Sequence, residues 1–166
     1  MVHTLSQNWV LDFQSEIGKN NNESVGFINR NYQLNETKVF PKLKYLYNKN
    51  TTFEMNYTFE NLKNKLSDSE SLITHNFGML LQYNGKQKLS LQSAFNILNN
   101  NFKGNSNSPV AYQMLKGLQP GTNVTWNAIL QKQLSNSLDF NLSYFGRKSI
   151  NSKAIHTGSV QLKVNF

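Results

Sequence analysis

Apolar and polar residues alternate without a break at the end of the chain, in Val160-Gln161-Leu162-Lys163-Val164-Asn165-Phe166. Successive side chains of a β-strand point to opposite faces, so this stretch predicts an amphipathic strand with one apolar and one polar face. The same alternation recurs many times upstream. We therefore expect an all-β, antiparallel fold built from long amphipathic strands.

Nine segments carry this pattern or a weaker form of it. The clearest is 53–60, in which Phe53, Met55, Tyr57 and Phe59 alternate with polar residues. The predicted strands lie at 9–14, 39–47, 53–60, 77–83, 89–97, 125–131, 138–144 and 155–166, with a shorter candidate at 25–30. The Gly18–Glu23 segment, rich in Asn, is predicted to be a turn.

The predicted connections alternate between short and long. Short turns lie at 48–50, 84–86 and 135–137, and longer loops at 63–71, 99–122 and 147–153. The Asn84-Gly85 pair favours a type I′ hairpin. Sorting of loop lengths onto two ends is typical of outer-membrane β-barrels, which have short periplasmic turns and long extracellular loops. By this rule Phe166 would lie on the periplasmic side.

Composition bounds the class of protein. The 166 residues correspond to one domain, 1–166, and 38% are hydrophobic. No stretch of roughly 20 nearly continuous apolar residues occurs, which excludes helical membrane spans. Strands instead carry their hydrophobicity in alternate positions. There are no cysteines, and no two of the three histidines have metal-ligand spacing. We expect no cofactor or metal. The net charge of +8 is spread over single lysines without a nucleic-acid motif, so no nucleic acid is expected.

Three further segments are informative together: Gly117-Leu118-Gln119-Pro120-Gly121-Thr122-Asn123-Val124-Thr125-Trp126, Tyr144-Phe145-Gly146-Arg147-Lys148-Ser149 and Ala154-Ile155-His156-Thr157-Gly158. They resemble the extreme C-terminal region of large outer-membrane β-barrel proteins from Bacteroidetes. In that group such a terminal strand ending in Phe resembles the signal read by the barrel-assembly machinery. The resemblance therefore implies that Val160, Leu162, Val164 and Phe166 form the recognised apolar face of strand 155–166.

The predicted fold is a transmembrane antiparallel up-and-down β-barrel of about eight or nine strands in a Gram-negative outer membrane. Closed single-chain bacterial barrels have an even number of strands. The odd count favours the C-terminal part of a larger barrel, completed by a longer polypeptide or by partner outer-membrane proteins. The expected surroundings are the lipid bilayer, and the expected role is structural or related to transport or secretion.

Charged residues on the polar side of two strands are candidates for the barrel lumen. They are Lys42 and Lys44 on one strand, and Glu54 and Glu60 on the next. One interpretation is a charged pore wall that tunes permeation. The other is an internal salt-bridge network that plugs or stiffens the barrel.

Two other classes of protein remain open. A soluble or periplasmic β-sandwich binding module would show similar alternation, but its strands average nearer 5–6 residues. An outer-membrane hydrolase would need a nucleophile, for which Ser149 and Ser152 near His156 are the candidates. No nucleophile motif or ordered acid partner accompanies them, so no catalysis is expected.

Overall fold

The structure, a computed structural model, describes residues 2–66, 70–86, 88–150 and 152–164. These residues form one nine-stranded sheet in which strand order equals chain order and each neighbouring pair is antiparallel. The strands are β1 (Val2–Thr4), β2 (Trp9–Asn22), β3 (Tyr32–Asn48), β4 (Thr51–Asn64), β5 (Ser71–Asn84), β6 (Ser90–Lys103), β7 (Gly121–Ser135), β8 (Leu138–Ser149) and β9 (Ile155–Val164). The predicted all-β, up-and-down architecture is confirmed.

The predicted strand at 25–30 is wrong, and so is the predicted turn at 18–23. Strand β2 continues to Asn22 because it stays paired with β3 along its whole length. The following segment instead contains a short 3₁₀ helix, Ile28–Arg30, and the Asn22 amide donates to the Arg30 carbonyl at 2.9 Å. Ladder hydrogen bonds thus override the turn preference of Asn in this segment.

The sheet has nine strands, as expected, but β1 takes the place of the predicted strand at 25–30. Strand β1 pairs Val2, His3 and Thr4 with residues 10–12 of β2. Three residues are too few to show an alternating pattern, so this strand has no periodic sequence signature.

The sheet does not close on itself within the described residues. Strands β1 and β9 are its two edges and are not paired with each other. Strand β1 covers only Val10–Asp12 of β2, so most of β2 lies along the same edge. The predicted barrel is therefore an open nine-stranded sheet in this chain.

The sheet has one apolar and one polar face. Directly opposite residues on neighbouring strands share a face. One row of such partners runs through Trp9, Tyr45, Phe53, Leu81, Ser93, Ala128, Tyr144 and Gly158. We call the face carrying this row the apolar face and the opposite one the polar face.

Exposure of the two faces is the reverse of that in a soluble sheet. Phe53, Met79 and Val160 on the apolar face are 45, 48 and 66% exposed. On the polar face, Glu60 and Asn100 are only 5 and 4% exposed. Large apolar side chains thus remain uncovered while polar ones are buried.

The strands are staggered relative to one another. Trp9 is the first residue of β2, whereas Tyr144, on the same row, is the seventh residue of β8. Each row of hydrogen-bonded partners therefore runs obliquely to the ends of the strands. A progressive stagger of this kind accompanies strand tilt in barrels.

The connections fall at two ends, which we call the turn end and the loop end. Connections 5–8, 49–50, 85–89 and 136–137 lie at the turn end, and 23–31, 65–70, 104–120 and 150–154 at the loop end. The longest is shorter than the predicted loop 99–122, because β6 continues to Lys103 and β7 begins at Gly121. It contains one helix, α1 (Pro109–Met114).

Candidate functional site

The apolar face forms a continuous surface across β2–β9. Its large exposed side chains include Trp9, Phe53, Met55, Tyr57, Phe77, Met79, Phe95, Ile97, Leu142, Tyr144, Val160, Leu162 and Val164. A shallow depression of about 400 Å³ lies between Trp9, Tyr45, Phe53, Met79 and Phe95. Among the described residues, no helix is long and apolar enough to cross a membrane.

Aromatic residues with polar groups flank this surface. Trp9 and Tyr45 lie near the turn end, with ring centroids 4.7 Å apart. Nearer the loop end, the Tyr57 hydroxyl lies 2.6 Å from Nδ1 of His75. Such amphipathic rings are the side chains that favour a boundary between an apolar and an aqueous phase.

A second aromatic cluster surrounds a glycine in β8. The Trp126 ring lies directly over Gly146, and its Nε1–H donates to the Tyr144 hydroxyl at 3.4 Å. On the other side, the His156 ring stacks on Tyr144, and its Nδ1 lies 2.7 Å from the Tyr144 hydroxyl. Only the absence of a Cβ at Gly146 allows the indole to cross the strand.

The polar face contains all four candidate lumen residues, but they do not form one cluster. The Lys44 ammonium lies 3.6 Å from the Glu54 carboxylate, its direct cross-strand partner. Lys42 is opposite Asn56, and its ammonium lies 5.4 Å from the centre of the Phe40 ring. Glu60 interacts instead with a loop residue outside the predicted set.

Residues 104–120, which we call the cap segment, fold over the polar face at the loop end. Helix α1 begins at Pro109, and the Ser108 hydroxyl accepts a hydrogen bond from the Ala111 amide at 3.0 Å, as an N-cap residue does. Its apolar side packs on three strands of the sheet. The buried cluster consists of Leu34, Leu62, Leu72, Val110, Ala111, Met114 and Leu115.

A buried ion pair fastens the cap segment to β4. The Lys116 ammonium donates to both carboxylate oxygens of Glu60, at 2.6 and 2.8 Å. The Glu60 side chain is 6% exposed, while that of Lys116 is 60% exposed. Without Lys116 the Glu60 carboxylate would remain buried without its ammonium partner, which would lower the stability of the fold.

Hydrogen bonds hold the far end of the cap segment. The Asn123 amide nitrogen donates to the Gln119 and Gly121 carbonyls at 2.8 and 3.0 Å. The Ser149 hydroxyl donates to the Asn123 side-chain oxygen, and the Arg147 guanidinium donates to the Gly117 carbonyl at 3.0 Å. Asn123 is fully buried, so this network fixes where the segment re-enters the sheet.

Neither the cap segment nor Lys116 is among the residues predicted to be functional, although the sequence carries one signal for this segment. Ser108-Pro109 followed by apolar residues at 110, 111, 114 and 115 is the pattern of a capped amphipathic turn of helix.

The predicted assembly-signal residues lie on the edge strand of the sheet. Val160, Leu162 and Val164 share the apolar face of β9, and each is more than half exposed. Phe166 lies outside the described residues.

The candidate hydrolytic residues are not brought together. Ser149 lies on the polar face and its hydroxyl is committed to Asn123. His156 lies on the apolar face against Tyr144. Ser152 interacts with the backbone carbonyl of Ser149. Over the described ranges, no group of three or more His, Cys, Asp or Glu residues could hold a metal ion.

Comparison with known proteins returned no match: no family model, no curated protein and no solved structure is significantly similar to the chain. The functional conclusion therefore rests on the two faces of the sheet.

Gly146→Ala should displace the Trp126 indole, because the new methyl group would occupy the position of that ring. We expect a destabilisation of about 1–3 kcal/mol and an altered emission spectrum of Trp126, measured in a Trp9→Phe background. Gly158→Ala is the matched control, since the nearest atom to its new Cβ is the Ser143 carbonyl oxygen at 3.8 Å. Equal spectra for both variants would contradict the assigned packing.

Lys116→Met should loosen the cap segment by leaving the buried Glu60 carboxylate without its ammonium partner. We expect a loss of roughly 1–3 kcal/mol in the free energy of unfolding, together with faster proteolysis between residues 104 and 120. Lys153→Met, an exposed lysine at the same end of the sheet, should leave both unchanged. Glu60→Gln should lower the free energy of unfolding less in the Lys116→Met variant than in the unchanged chain. A double-mutant cycle would measure this difference.

Proposed function

We propose that this chain forms part of the wall of a transmembrane β-barrel in a Gram-negative outer membrane. The observation that carries the proposal is the exposed apolar face. A sheet in water buries its apolar side, whereas a barrel wall in lipid exposes it and encloses the polar side. A soluble β-sandwich would instead cover residues such as Phe53, Met79 and Phe95.

The lengths of the strands support this proposal. A tilted transmembrane strand needs roughly 9–11 residues. Strands β4, β5 and β6 each have 14 residues, and β9 has 10. The longer strands can therefore cross the hydrocarbon layer and extend beyond it.

Further strands must complete the barrel. Unpaired backbone groups at a sheet edge cost several kcal/mol each in lipid. This sheet has two such edges, along β9 and along β2 beyond Asp12. A longer polypeptide that contains these residues, or partner outer-membrane proteins, would supply the missing pairing. The resemblance of 117–158 to Bacteroidetes outer-membrane proteins favours the first source, and it also makes β9 the strand that the assembly machinery would read.

The cap segment covers part of the polar face, which favours a barrel with an occluded lumen over a wide aqueous pore. Helix α1 and Lys116 cover the polar face at the loop end, and the Lys44–Glu54 pair adds a cross-strand contact below them. These contacts favour the second interpretation of the lumen residues, an internal network that stiffens the barrel. The proposed role is structural, within an assembly for transport or secretion, and non-catalytic.

Arginine substitutions on opposite faces of β8 test the contact with lipid. Leu142→Arg should cost about 2–4 kcal/mol in a denaturant titration of the native membrane assembly reconstituted into vesicles, because its side chain would face hydrocarbon. Asn141→Arg, on the polar face, should cost much less. If the apolar face is in water, Leu142→Arg will be nearly neutral, since that residue is already 37% exposed.

Single cysteines test the orientation, since the chain has none of its own. Asn107→Cys lies in the cap segment at the loop end, and Asn136→Cys in a turn at the turn end. On intact cells, a membrane-impermeant maleimide should label position 107 and not position 136. Both should react after the membrane is disrupted. Labelling at 136 alone would invert the proposed orientation.

A further inference from the structure

Charges are divided unequally between the two faces of the sheet. Over the described residues of β2–β9, the register places every acidic strand residue on the polar face: Asp12, Glu16, Glu36, Glu54, Glu60 and Asp139. Histidines aside, the ionisable side chains of the apolar face that carry charge at neutral pH are all lysines: Lys19, Lys63, Lys103, Lys132 and Lys148. The apolar face therefore carries charge of one sign only.

Three of these lysines lie on a single row of cross-strand partners. The row runs Lys19, Asn35, Lys63, Ser71, Lys103 across β2–β6. Neighbouring strands are about 4.8 Å apart, so successive lysines are separated by roughly 10 Å. All three are exposed. We call Lys19, Lys63 and Lys103 the lysine row.

The lysine row lies just beyond the apolar side chains, towards the loop end. Lys19 follows Ile17 by two residues and Lys63 follows Phe59 by four, on the same face of their strands. Lysine stems can extend along an apolar surface while the ammonium reaches a polar layer. An anion bound here would therefore be adjacent to whatever apolar phase covers the apolar face.

Polar donors accompany the lysines in a depression of about 600 Å³ next to the row. It is lined by Asn61, Lys63, Asn64, Lys65, Glu70, Ser71, Ile73, Asn101 and Lys103. The single carboxylate, Glu70, already accepts hydrogen bonds from the Asn64 amide at 2.8 Å and the Ser108 hydroxyl at 3.0 Å. Lys63, Lys65 and Lys103 thus line this depression with a single carboxylate, which has other partners.

We propose that the lysine row binds the phosphate groups of membrane lipids in the leaflet at the loop end. The proposal rests on the membrane role proposed above. Phosphate oxygens can accept from the ammonium groups and from the Asn and Ser side chains between them. A phosphate attached to acyl chains fits this position better than a free anion, because only a lipid can occupy the apolar face and the lysine row together.

The test measures partitioning of the full chain into vesicles of phosphatidylcholine alone and of phosphatidylcholine mixed with phosphatidylglycerol. At low salt, we expect the anionic vesicles to bind it roughly 100-fold more tightly, and salt to weaken this preference. The triple variant Lys19→Asn, Lys63→Asn, Lys103→Asn should lose most of the preference and keep its affinity for phosphatidylcholine.

The matched control changes net charge equally at the other end of the sheet. Lys49→Asn, Lys86→Asn, Lys88→Asn alters three exposed lysines of the turn end and should retain the preference. Equal losses in the two triple variants would overturn the proposal, because net charge alone would then explain the effect. Binding of inorganic phosphate by the lipid-free chain as tightly as the chain binds anionic vesicles would assign the row to a soluble anion and also overturn it. Binding of the unchanged chain to neither kind of vesicle would instead refute the proposed contact of the apolar face with lipid, because binding to a vesicle surface does not require the barrel to close.

Discussion

Register between neighbouring strands is the constraint on which the rest of the structure depends. Because side chains alternate with a period of two residues, a slip of one residue at any pairing would move a whole strand's apolar side chains to the other face. The register is constant through the middle of the sheet, although pairing between β3 and β4 skips Phe40 and Pro41. Its two shifts lie at the turn end, beside Leu46 and Gln133. The exposed apolar face and the buried polar face both follow from that constant register.

Burial of the polar face imposes requirements of its own. Buried polar groups need partners, and several of those on this face find them across strands or from the loop end. The Thr74 hydroxyl donates to Asn100 within the sheet, and Lys116 reaches Glu60 from the cap segment. The apolar residues of α1 then close the space that these polar contacts leave. A single loop thus supplies both the ammonium partner of Glu60 and the apolar side chains that cover Leu34, Leu62 and Leu72.

Much of the strand order could be predicted from alternation alone, and the errors have physical causes. Asn-rich segments at 18–23 and 99–101 were assigned to a turn and a loop, but cross-strand pairing extends β2 and β6 through them. Strand β1 is too short to have a period. The contact between Lys116 and Glu60 joins positions 56 residues apart, so no local pattern encodes it. Alternation predicts that Lys44 and Glu54 lie on the polar face. It does not predict that Glu60 pairs with the cap segment and not with a lysine of β3.

The stagger of the strands has a consequence for any molecule that joins the sheet. The row of partners that starts at the first residue of β2 reaches the seventh residue of β8. A strand added along β9 must continue this stagger if its own apolar side chains are to meet the exposed face at the same height. A strand that paired with β9 without this stagger could still form hydrogen bonds, but its apolar side chains would not align with those of the apolar face. The stagger therefore restricts which strands can extend the sheet at β9 to those that continue the same offset.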